Sequence, residues 1–532
     1  MAQGPGALSP EPGAERFYLT TAIFYPSPTP ALHSLFEAIG ADVIARYQRL
    51  QGRETRFLTG MDEHSANVER DAREAGIDPR ELIDPWAATW KATFEQFRIS
   101  ADRFIRTTDP DHAVAATEMV RRAQANGDVY EGLYVGWFCN GCNEFKTDQQ
   151  LVNGRCPDHP TLDSQRLEEH NYFFRLSAYQ ERLERLYADN PSFCEPEHFR
   201  NEVLGWLREG LRDFSISRSG TEWGIPFPGD EKHRIYVWFD ALTNYLTGAG
   251  FPNDAAEMDR WWPADLHVIG KNITRFHCLY WPAMLMSAGV PLPRQVFAHG
   301  FMLDRGEKMS KTTGNSQDPH EMAERFGVDG VRYVVLREVP FERDADVTYD
   351  GFVRRYNADL ANDLGNFVNR TVSMSNRYLD GVLPPVTDSN QAVDIEMSAT
   401  VGRVVERYRA SMDDHRLADA LAAMMELAGA GNGYAEGQAP WSLHKAGETA
   451  RLGQVLAVMA ELCRIIGHLL APVAPDGARR LHEQLGTPAP YDARGVGGPG
   501  LDALVTWGSG PSEWRTGTPS PIFPRIDQEA AV

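Results

Sequence analysis

Four residues in the second quarter of the chain have the types and spacing of a metal site. A Cys-x2-Cys pair and a Cys-x2-His pair supply three thiols and one imidazole, at Cys139, Cys142, Cys156 and His159. Zinc prefers this tetrahedral set of ligands. Because four protein ligands leave no open coordination position, we expect a structural zinc ion rather than a catalytic one. The chain has only six cysteines, too few for a disulfide framework, so a reducing compartment is expected.

The elements before this cluster alternate between strand and helix patterns. The residues from Phe17 to Ile23 have the character of a strand, and those from Leu32 to Leu50 have helical periodicity. A second strand pattern, from Thr55 to Thr59, leads into a charged helical stretch from Asn67 to Ala75. This alternation predicts a doubly wound parallel sheet that binds its ligands at the carboxyl ends of the strands.

The sheet pattern is interrupted between about Thr117 and Gly224, the region that contains the cysteine cluster, and then resumes. Apolar runs from Ile235 to Phe239 and from Asp265 to Gly270 predict two further parallel strands. We therefore expect the two halves of one α/β domain to flank an insertion.

Helical periodicity dominates from about Arg354 to Leu485 and predicts a separate helical bundle. The Gly/Pro-rich residues from Gly486 onward predict a loosely packed tail, and the segment before Arg16 predicts a disordered one. The net charge of −21 disfavours nonspecific DNA binding. The most apolar stretch, from Val455 to Val473, contains charged residues, so no membrane span is expected.

A lysine-containing pentad carries a specific resemblance. The segment Lys308-Met309-Ser310-Lys311-Thr312 resembles the KMSKS loop of class I aminoacyl-tRNA synthetases. Further segments between about Arg16 and Leu485 resemble the methionyl-tRNA synthetase family. They are Thr20 to Tyr25, Tyr236 to Ala241, Ile269 to Lys271, the Cys/His cluster and Ala439 to Trp441.

The resemblance implies an α/β Rossmann-type catalytic domain with a parallel sheet, split by a zinc-binding connective insertion and followed by an all-α helical-bundle anticodon-binding domain. It divides the chain into a disordered tail (1–15), the first half of the catalytic domain (16–116), the connective insertion (117–224), the second half of the catalytic domain (225–292), a stem-contact region with the lysine loop (293–350), the anticodon-binding domain (351–485) and a C-terminal tail (486–532).

The chemistry that the resemblance implies begins with ATP, accompanied by Mg2+, and L-methionine. They form methionyl-adenylate and pyrophosphate, and the methionyl group then passes to the terminal ribose of tRNA(Met). Lys308 and Lys311 are the implied catalytic residues, because two cations on one loop can stabilise the charge of the leaving pyrophosphate. Other positions that match the ATP site are Gly270, Lys271, Met309 and Ser310.

The resemblance also implies an amino-acid pocket of aromatic and apolar side chains, which suits a polarizable thioether. Asp62 matches the carboxylate that receives the ammonium group of the amino acid. Aromatic residues at such spacings are more often plain core, but the agreement of nine positions favours a pocket. The nine are Ile23, Tyr25, Trp238, Ala241, Leu242, Tyr245, Ile273, His277 and Trp281.

Three residues of the helical region match positions that read the CAU anticodon. Asn366 and Arg370 are four residues apart and share one helix face, and Trp441 belongs to the Ala-Pro-Trp segment. An indole can stack on an unpaired base, while amide and guanidinium groups donate to base edges. Together the three residues predict tRNA binding.

The other class I signature, HIGH, is altered in this chain. The ungapped register places Ala31, Leu32, His33 and Ser34 at its four positions, so both family histidines are replaced. We assign Ala31 and Leu32 to ATP binding, and His33 and Ser34 to catalysis. Losing two phosphate-stabilising donors slows adenylation by roughly 10^4-fold unless His33 compensates. Asn272 is a second departure, because the family carries an aspartate there.

Three functions are compatible with these residues. The first is a cytoplasmic methionine-tRNA ligase, monomeric by default. The second is a diverged paralogue that makes an aminoacyl-adenylate for a non-tRNA acceptor in specialised metabolism. The third is a noncatalytic protein that binds tRNA or methionine. The lysine loop, the pocket and the Cys/His cluster favour the first function, whereas the altered signature favours the third.

Overall fold

The computed structural model describes residues 15–139, 144–146, 148, 151–157, 163–304, 306–308, 317–386, 390–488 and 500–527. Its first elements alternate between strands and helices, as predicted. They are β1 (Arg16–Thr21), α1 (Leu32–Leu50), β2 (Glu54–Met61), α2 (Ala66–Ala75), α3 (Pro79–Gln96), β3 (Arg103–Arg106) and α4 (Pro110–Ala125). Helix α1 has the predicted bounds, and nearly all of its residues are buried.

The next part of the chain is mainly antiparallel. Its elements are β4 (Val129–Cys139), β5 (Glu144–Lys146), β6 (Gln165–Phe174), α5 (Gln180–Asp189), β7 (Cys194–Glu195), α6 (Glu197–Glu209), β8 (Phe214–Ser215), β9 (Ser217–Ser219), β10 (Pro226–Phe227) and β11 (Asp230–Ile235). One sheet has the order β5-β4-β6-β8 and another the order β10-β11-β9. The predicted boundary at Thr117 falls inside α4, and antiparallel pairing begins at Val129.

The α/β pattern then returns with α7 (Val237–Leu242), α8 (Asn244–Thr247), α9 (Ala255–Trp261), β12 (Leu266–Gly270), α10 (Trp281–Ala288), β13 (Val296–His299), β14 (Met302–Asp304) and β15 (Glu307–Lys308). The strand predicted from Ile235 to Phe239 is wrong. Ile235 ends β11, and the residues after Tyr236 form the short helix α7. This run is buried on all sides, and an apolar run without polar gaps does not distinguish a strand from a helix.

The central sheet is parallel and has the order β3-β2-β1-β12-β13-β7. Strands β1 and β12 are neighbours, with Leu19 opposite Leu266. From this pair the chain proceeds outward in opposite directions, through β2 on one side and β13 on the other. The carboxyl ends of β1 and β12 therefore form the switch point at which sheets of this kind bind ligands.

The remaining elements are almost entirely helical, which confirms the predicted bundle. They are α11 (Pro319–Phe326), α12 (Val328–Glu338), β16 (Ala345–Asp346), α13 (Tyr349–Arg355), α14 (Asn366–Leu379), β17 (Val382–Leu383), α15 (Ala392–Asp413), α16 (Leu417–Gln438), α17 (Pro440–Ala446), α18 (Thr449–Leu470), α19 (Pro475–Leu485), α20 (Gly500–Val505) and β18 (Trp514–Arg515). A π-helical segment, Tyr356–Gly365, joins α13 to α14.

Helix α18 is the one helix of the described residues that is long and apolar enough to cross a membrane. In this structure 94% of its most apolar window is buried inside the protein, which is typical of a core helix. It belongs to a hydrophobic core that continues from α1 in the sheet domain into the bundle. A second core covers the other face of the sheet.

The prediction of a loosely packed C-terminal tail is wrong for residues 500–527. Trp514 is 1% exposed, and its indole N–H donates to the carbonyl of Leu485 at 2.6 Å. Strand β18 pairs with β17, and Phe523 is buried. A Gly/Pro-rich composition describes a local backbone preference, whereas this segment is ordered by contacts with residues distant in the sequence.

Candidate active site

Tyr245, His277 and Trp281 form a buried group beyond the carboxyl end of β12. The Tyr245 hydroxyl lies 2.6 Å from His277 Nε2, and the Tyr245 and Trp281 ring centroids are 5.8 Å apart. Burial lowers the pKa of His277 to about 4 and raises the pKa of Tyr245. His277 Nδ1 lies 3.0 Å from the carbonyl oxygen of Ile273. The neutral imidazole therefore donates a hydrogen bond from Nδ1 to this carbonyl, and its Nε2 accepts a hydrogen bond from the Tyr245 hydroxyl.

Trp238 belongs to a second aromatic group next to this one, since Phe276, on which it stacks, directly precedes His277. Its ring stacks on Phe276 with a centroid distance of 3.7 Å, and Tyr25 makes an edge contact with it at 6.4 Å. The indole Nε1 of Trp238 is buried without a hydrogen-bond partner. Tyr25 is 38% exposed, so this end of the pocket is open to solvent. Phe276 was not predicted, because a stacking partner from a different element leaves no local signal in the sequence.

The other four predicted pocket residues lie on the same elements as these rings or a few positions from them in the sequence. Ala241 and Leu242 belong to α7, the helix of Trp238, and both are buried. Ile273 supplies the carbonyl that fixes His277. Ile23 follows β1 and is half-buried.

Asp62 follows β2 and is 3% exposed. One of its carboxylate oxygens, Oδ1, is buried without a hydrogen-bond partner. Burial raises the pKa of Asp62 well above its usual value, and the nearby carboxylates of Asp240 and Glu63 raise it further. A buried oxygen of this kind is costly unless a donor reaches it. The site is therefore suited to a cationic group that arrives from outside the protein.

The predicted nucleotide positions lie at the end of β12. A Cβ atom on Gly270 would approach the side-chain oxygen of Asn272 to 2.8 Å and His299 Nε2 to 3.7 Å, so glycine leaves room here for both groups. The Lys271 ammonium lies 2.6 Å from a carboxylate oxygen of Asp344. Asp344 also accepts the backbone N–H of Phe301 at 2.8 Å, which ties Lys271 to the segment before β14.

The altered signature occupies the start of α1. Ala31 is the residue that precedes the helix, and it makes no side-chain capping hydrogen bond. Leu32 is fully buried, whereas His33 and Ser34 are half-buried in the first turn. The Ser34 N–H donates to the Ala31 carbonyl at 3.0 Å. Neither Ala31 nor Ser34 supplies an imidazole to this end of the helix.

Two residues that the sequence analysis did not predict, Glu37 and His299, connect α1 to the ends of β1 and β13. Glu37, one turn into α1, accepts the backbone N–H of Ala22 at 3.1 Å, and its other oxygen lies 2.9 Å from His299 Nε2. His299 ends β13. The pair therefore brings an imidazole to the switch point. Glu37 and His299 are separated by 262 positions, so no sequence spacing could indicate the contact.

The predicted lysine loop is described only at its first residue. Lys308 ends β15, and its backbone pairs with Leu303 of β14. Met309, Ser310 and Lys311 lie outside the described residues. The assignment of these residues stays a prediction.

Two of the four predicted zinc ligands are described. Cys139 ends β4 and is 1% exposed, and Cys156 is fully buried. Cys142 and His159 lie outside the described residues. In the part of the chain that the structure describes, no group of three or more His, Cys, Asp or Glu side chains could hold a metal ion. The zinc site stays a prediction.

The structure brings Arg370 close to the turn that carries Trp441. Asn366, which is exposed, and Arg370 lie in α14, and the Arg370 guanidinium lies 2.8 Å from the Glu436 carboxylate near the end of α16. Helix α17 begins directly after Ala439, whose φ of +42° lies in the left-handed region. This tight turn places Trp441, partly exposed, in the first turn of α17.

Comparison with protein families matches nearly the whole chain. A family described as tRNA synthetases class I (M) matches residues 17–166 and 161–372. A second family, the anticodon binding domain of methionyl tRNA ligase, matches residues 385–494. The chain belongs to the class I methionyl-tRNA synthetase family.

Relatives in this family are similar over almost their full length. The methionine–tRNA ligase of Thermosynechococcus vestitus is 41% identical, covering 97% of this chain and 98% of its own. That of Mycobacterium leprae is 44% identical, over 88% and 89%. The Mycobacterium tuberculosis methionyl-tRNA synthetase in complex with methionyl-adenylate is 42% identical, with a TM-score of 0.90 over 96% of this chain and 100% of that one. The predicted catalytic α/β domain and helical anticodon domain are thereby confirmed.

Proposed function

We propose that this protein is a methionine–tRNA ligase, which activates L-methionine with ATP and transfers the methionyl group to tRNA(Met). The observation that carries the proposal is Asp62, a buried carboxyl group with a partnerless oxygen, next to the aromatic pocket of Trp238 and Tyr245. Such a site fits a molecule that combines an ammonium group with an apolar, polarizable side chain. The relative solved with methionyl-adenylate supports the same conclusion.

Methionine binds with its ammonium group on Asp62 and its thioether among the aromatic rings. Sulfur contacts with aromatic rings contribute about 0.3–1.5 kcal/mol each. The Tyr245 hydroxyl is already committed to His277, so it offers no proton to a competing polar side chain. A polar amino acid would lose its hydration here without replacement, and the pocket therefore selects against it.

In the first step a carboxylate oxygen of methionine attacks the α-phosphorus of ATP. The new P–O bond forms as the bond to the β-phosphate oxygen breaks, and pyrophosphate leaves with the negative charge. The backbone N–H groups at the start of α1 would face the phosphates, because the first turn of a helix leaves such donors without partners within the helix. Lys271, Lys308 and Lys311 supply the cations, and Mg2+ accompanies ATP. A ribose hydroxyl of tRNA then attacks the methionyl carbonyl carbon. The ester bond forms as the bond from this carbon to the phosphate oxygen breaks, and AMP leaves while the hydroxyl proton is released.

A structural zinc ion belongs to the same proposal. The two thiols that the structure describes, Cys139 at the end of β4 and Cys156 between β5 and β6, are both buried, and zinc prefers thiolate ligands. With Cys142 and His159 they would hold zinc in the connective insertion. The bound ion would cross-link the connective insertion without an open position for substrate.

Anticodon reading is assigned to Asn366, Arg370 and Trp441. Their positions on α14 and at the start of α17 support binding of an unpaired triplet between these helices. The acceptor is therefore tRNA(Met) with a CAU anticodon. The residue boundaries of the domains, the cytoplasmic location and a monomeric state stay predictions.

The test of the proposed function is charging of tRNA by the full-length protein. We expect methionine to be attached to a CAU tRNA and not to the same tRNA carrying another anticodon. Adenylate formation without tRNA charging would instead indicate the paralogue with a different acceptor. Methionine or tRNA binding with neither reaction would indicate a noncatalytic binding protein.

A further inference from the structure

Three buried titratable side chains, those of Asp240, His64 and His112, connect the predicted methionine pocket to α4. The Asp240 carboxylate, fully buried on α7, lies 2.6 Å from Nδ1 of His64 and 2.6 Å from Nε2 of His112. The His112 ring is also fully buried, and its Nδ1 lies 3.0 Å from the Thr247 hydroxyl. None of the three side chains belongs to the predicted pocket, although Asp240 lies within the motif from Tyr236 to Ala241.

The arrangement requires an ionised Asp240. Burial alone raises the pKa of this carboxyl group, but the charge and hydrogen bonds of His64 and His112 outweigh burial, and the pKa lies below its usual value. A carboxylate only accepts hydrogen bonds, so each imidazole directs an N–H at it. Paired and hydrogen-bonded in this way, the buried charge is tolerated. If either imidazole were removed, one of the two carboxylate oxygens would lose its donor.

This chain of contacts ends at Asp62. His64 is two residues after Asp62, and burial raises the pKa of the Asp62 carboxyl group, on which both the Asp240 carboxylate and the His64 backbone N–H act from close by. Asp240 lies between Trp238 and Ala241, so the same carboxylate is part of the helix that forms the pocket wall. The orientation of Asp62 relative to this wall thus depends on the two hydrogen bonds that Asp240 accepts.

We propose that Asp240, held between His64 and His112, is a positioning residue that sets Asp62 for the ammonium group of methionine. The inference rests on the proposed function, because it takes methionine as the ligand. It assigns no contact with substrate to Asp240 or His112. Both act through the loop after β2 and through α7.

The alternative is that the three side chains only stabilise the fold. The proposal differs from it in one measurable respect. The hydrogen bonds around Asp240 connect α4, α7, α8 and the loop after β2. The nucleotide positions Gly270 and Lys271 lie elsewhere, at the end of β12. A positioning role therefore affects binding of methionine and leaves binding of ATP unchanged.

The experiment uses two substitutions at His112, which lies on α4 and is not one of the predicted substrate positions. His112→Leu removes the donor to Asp240, and His112→Gln keeps an N–H at about the same reach. Asp128→Asn is the control. Asp128 is a buried carboxylate close to α4, and it accepts hydrogen bonds from the hydroxyls of Tyr179 and Ser287, outside the site. We would measure both KM values in ATP–pyrophosphate exchange.

A pair of ligands makes the ammonium dependence explicit. L-Methioninol carries the ammonium group, and its deamino analogue lacks it. Equilibrium binding of both needs no catalysis, so an enzyme that fails to exchange pyrophosphate refutes the proposed function without deciding this test.

We expect His112→Leu to raise the KM for methionine and weaken methioninol binding by about tenfold or more. Binding of the deamino analogue and the KM for ATP should not change, and His112→Gln should restore most of the loss. Equal weakening of both ligands, a parallel rise in both KM values, or unchanged methionine affinity would overturn the proposal. If His112→Leu fails to fold, the isosteric Asp240→Asn is expected to give the same selective loss, and the same outcomes would overturn the proposal.

Discussion

The two sides of the site are built differently. On the methionine side, buried groups contact one another directly, as in the hydrogen bond from Tyr245 to His277 and the stack of Trp238 on Phe276. On the phosphate side, Ala31 and Ser34 replace both histidines of the signature. A pocket that selects one side chain needs a fixed shape, so it tolerates little change. Charge on a leaving pyrophosphate can be stabilised by several alternative cations and backbone N–H groups.

This contrast predicts how substitutions divide between kinetic constants. A change on the methionine side should act mainly on the KM for methionine. A change on the phosphate side should act mainly on kcat, because those groups interact most strongly with the transition state.

The largest effect is expected at the lysine loop. Lys308→Ala should lower kcat of methionine-dependent pyrophosphate exchange by about 10^3-fold, because a cation facing the leaving group is lost. The KM for methionine should stay unchanged. Lys232→Ala, at an exposed lysine of β11, is the matched control and should behave like the unaltered protein. An equal loss in both variants would contradict the assignment.

Restoring the signature tests the contrast in the other direction. The triple substitution Ala31→His, His33→Gly and Ser34→His should raise kcat of exchange by about 10^2-fold, since each donor to the transition state is typically worth that much. The KM for methionine should not respond. A rate that stays the same or falls would show that this chain stabilises the phosphates by another route, such as His33 itself or His299, which is paired with Glu37.

A change on the methionine side should reverse this division. Asp62→Asn keeps the shape of the side chain and removes its charge, so the KM for methionine should rise by about 50-fold. The KM for ATP should remain as it was. If kcat falls instead and both KM values hold, Asp62 is not the ammonium site.

A moderate effect is expected outside the catalytic domain. Trp441→Ala should weaken tRNA binding by about tenfold through loss of a stacking surface, and it should spare pyrophosphate exchange without tRNA. The exchange assay on the same preparation is the internal control. Unchanged affinity for CAU tRNA would refute the anticodon assignment of Trp441.

The smallest effect concerns stability rather than activity. Burial lowers the pKa of His482 to about 3 and that of His415 to about 4, against 6.5 for an ordinary histidine. Between pH 6.5 and 4 the unfolded chain therefore binds more protons than the folded one, and the free energy of unfolding falls as the pH is lowered. His482→Asn should flatten this fall in urea denaturation, whereas His198→Asn, at an exposed residue, should not. Equal slopes in both variants would contradict this origin.

Local patterns were sufficient for part of the fold. Helix α1 was predicted with its correct bounds, because nineteen residues of clear helical character follow a proline-rich loop. The run after Ile235 was misassigned, because its burial on all sides removes the periodicity that separates helix from strand. The packing of Trp514 could not be predicted, because its partner is the backbone carbonyl of Leu485, 29 positions earlier in the chain, and such a contact leaves no pattern in the sequence.

The site shows the same division. Asp62 and Trp238 lie within short motifs, so the resemblance singles them out, and the structure shows both of them buried, each with a polar atom that has no hydrogen-bond partner. Asp240 lies inside one of those motifs, but its role depends on His64 and His112, which are 176 and 128 positions away. Contacts of this range follow from sheet topology, and the sequence alone does not show which distant side chains meet.

The central claim is that an intact methionine side works with an altered phosphate side. Pyrophosphate exchange by the folded, zinc-loaded, unaltered protein, measured with each of the twenty amino acids, tests it most directly. We predict ATP–pyrophosphate exchange with methionine alone. Exchange with a different amino acid would contradict the assignment of the pocket, and no exchange with any of them would show that the altered signature does not support adenylation.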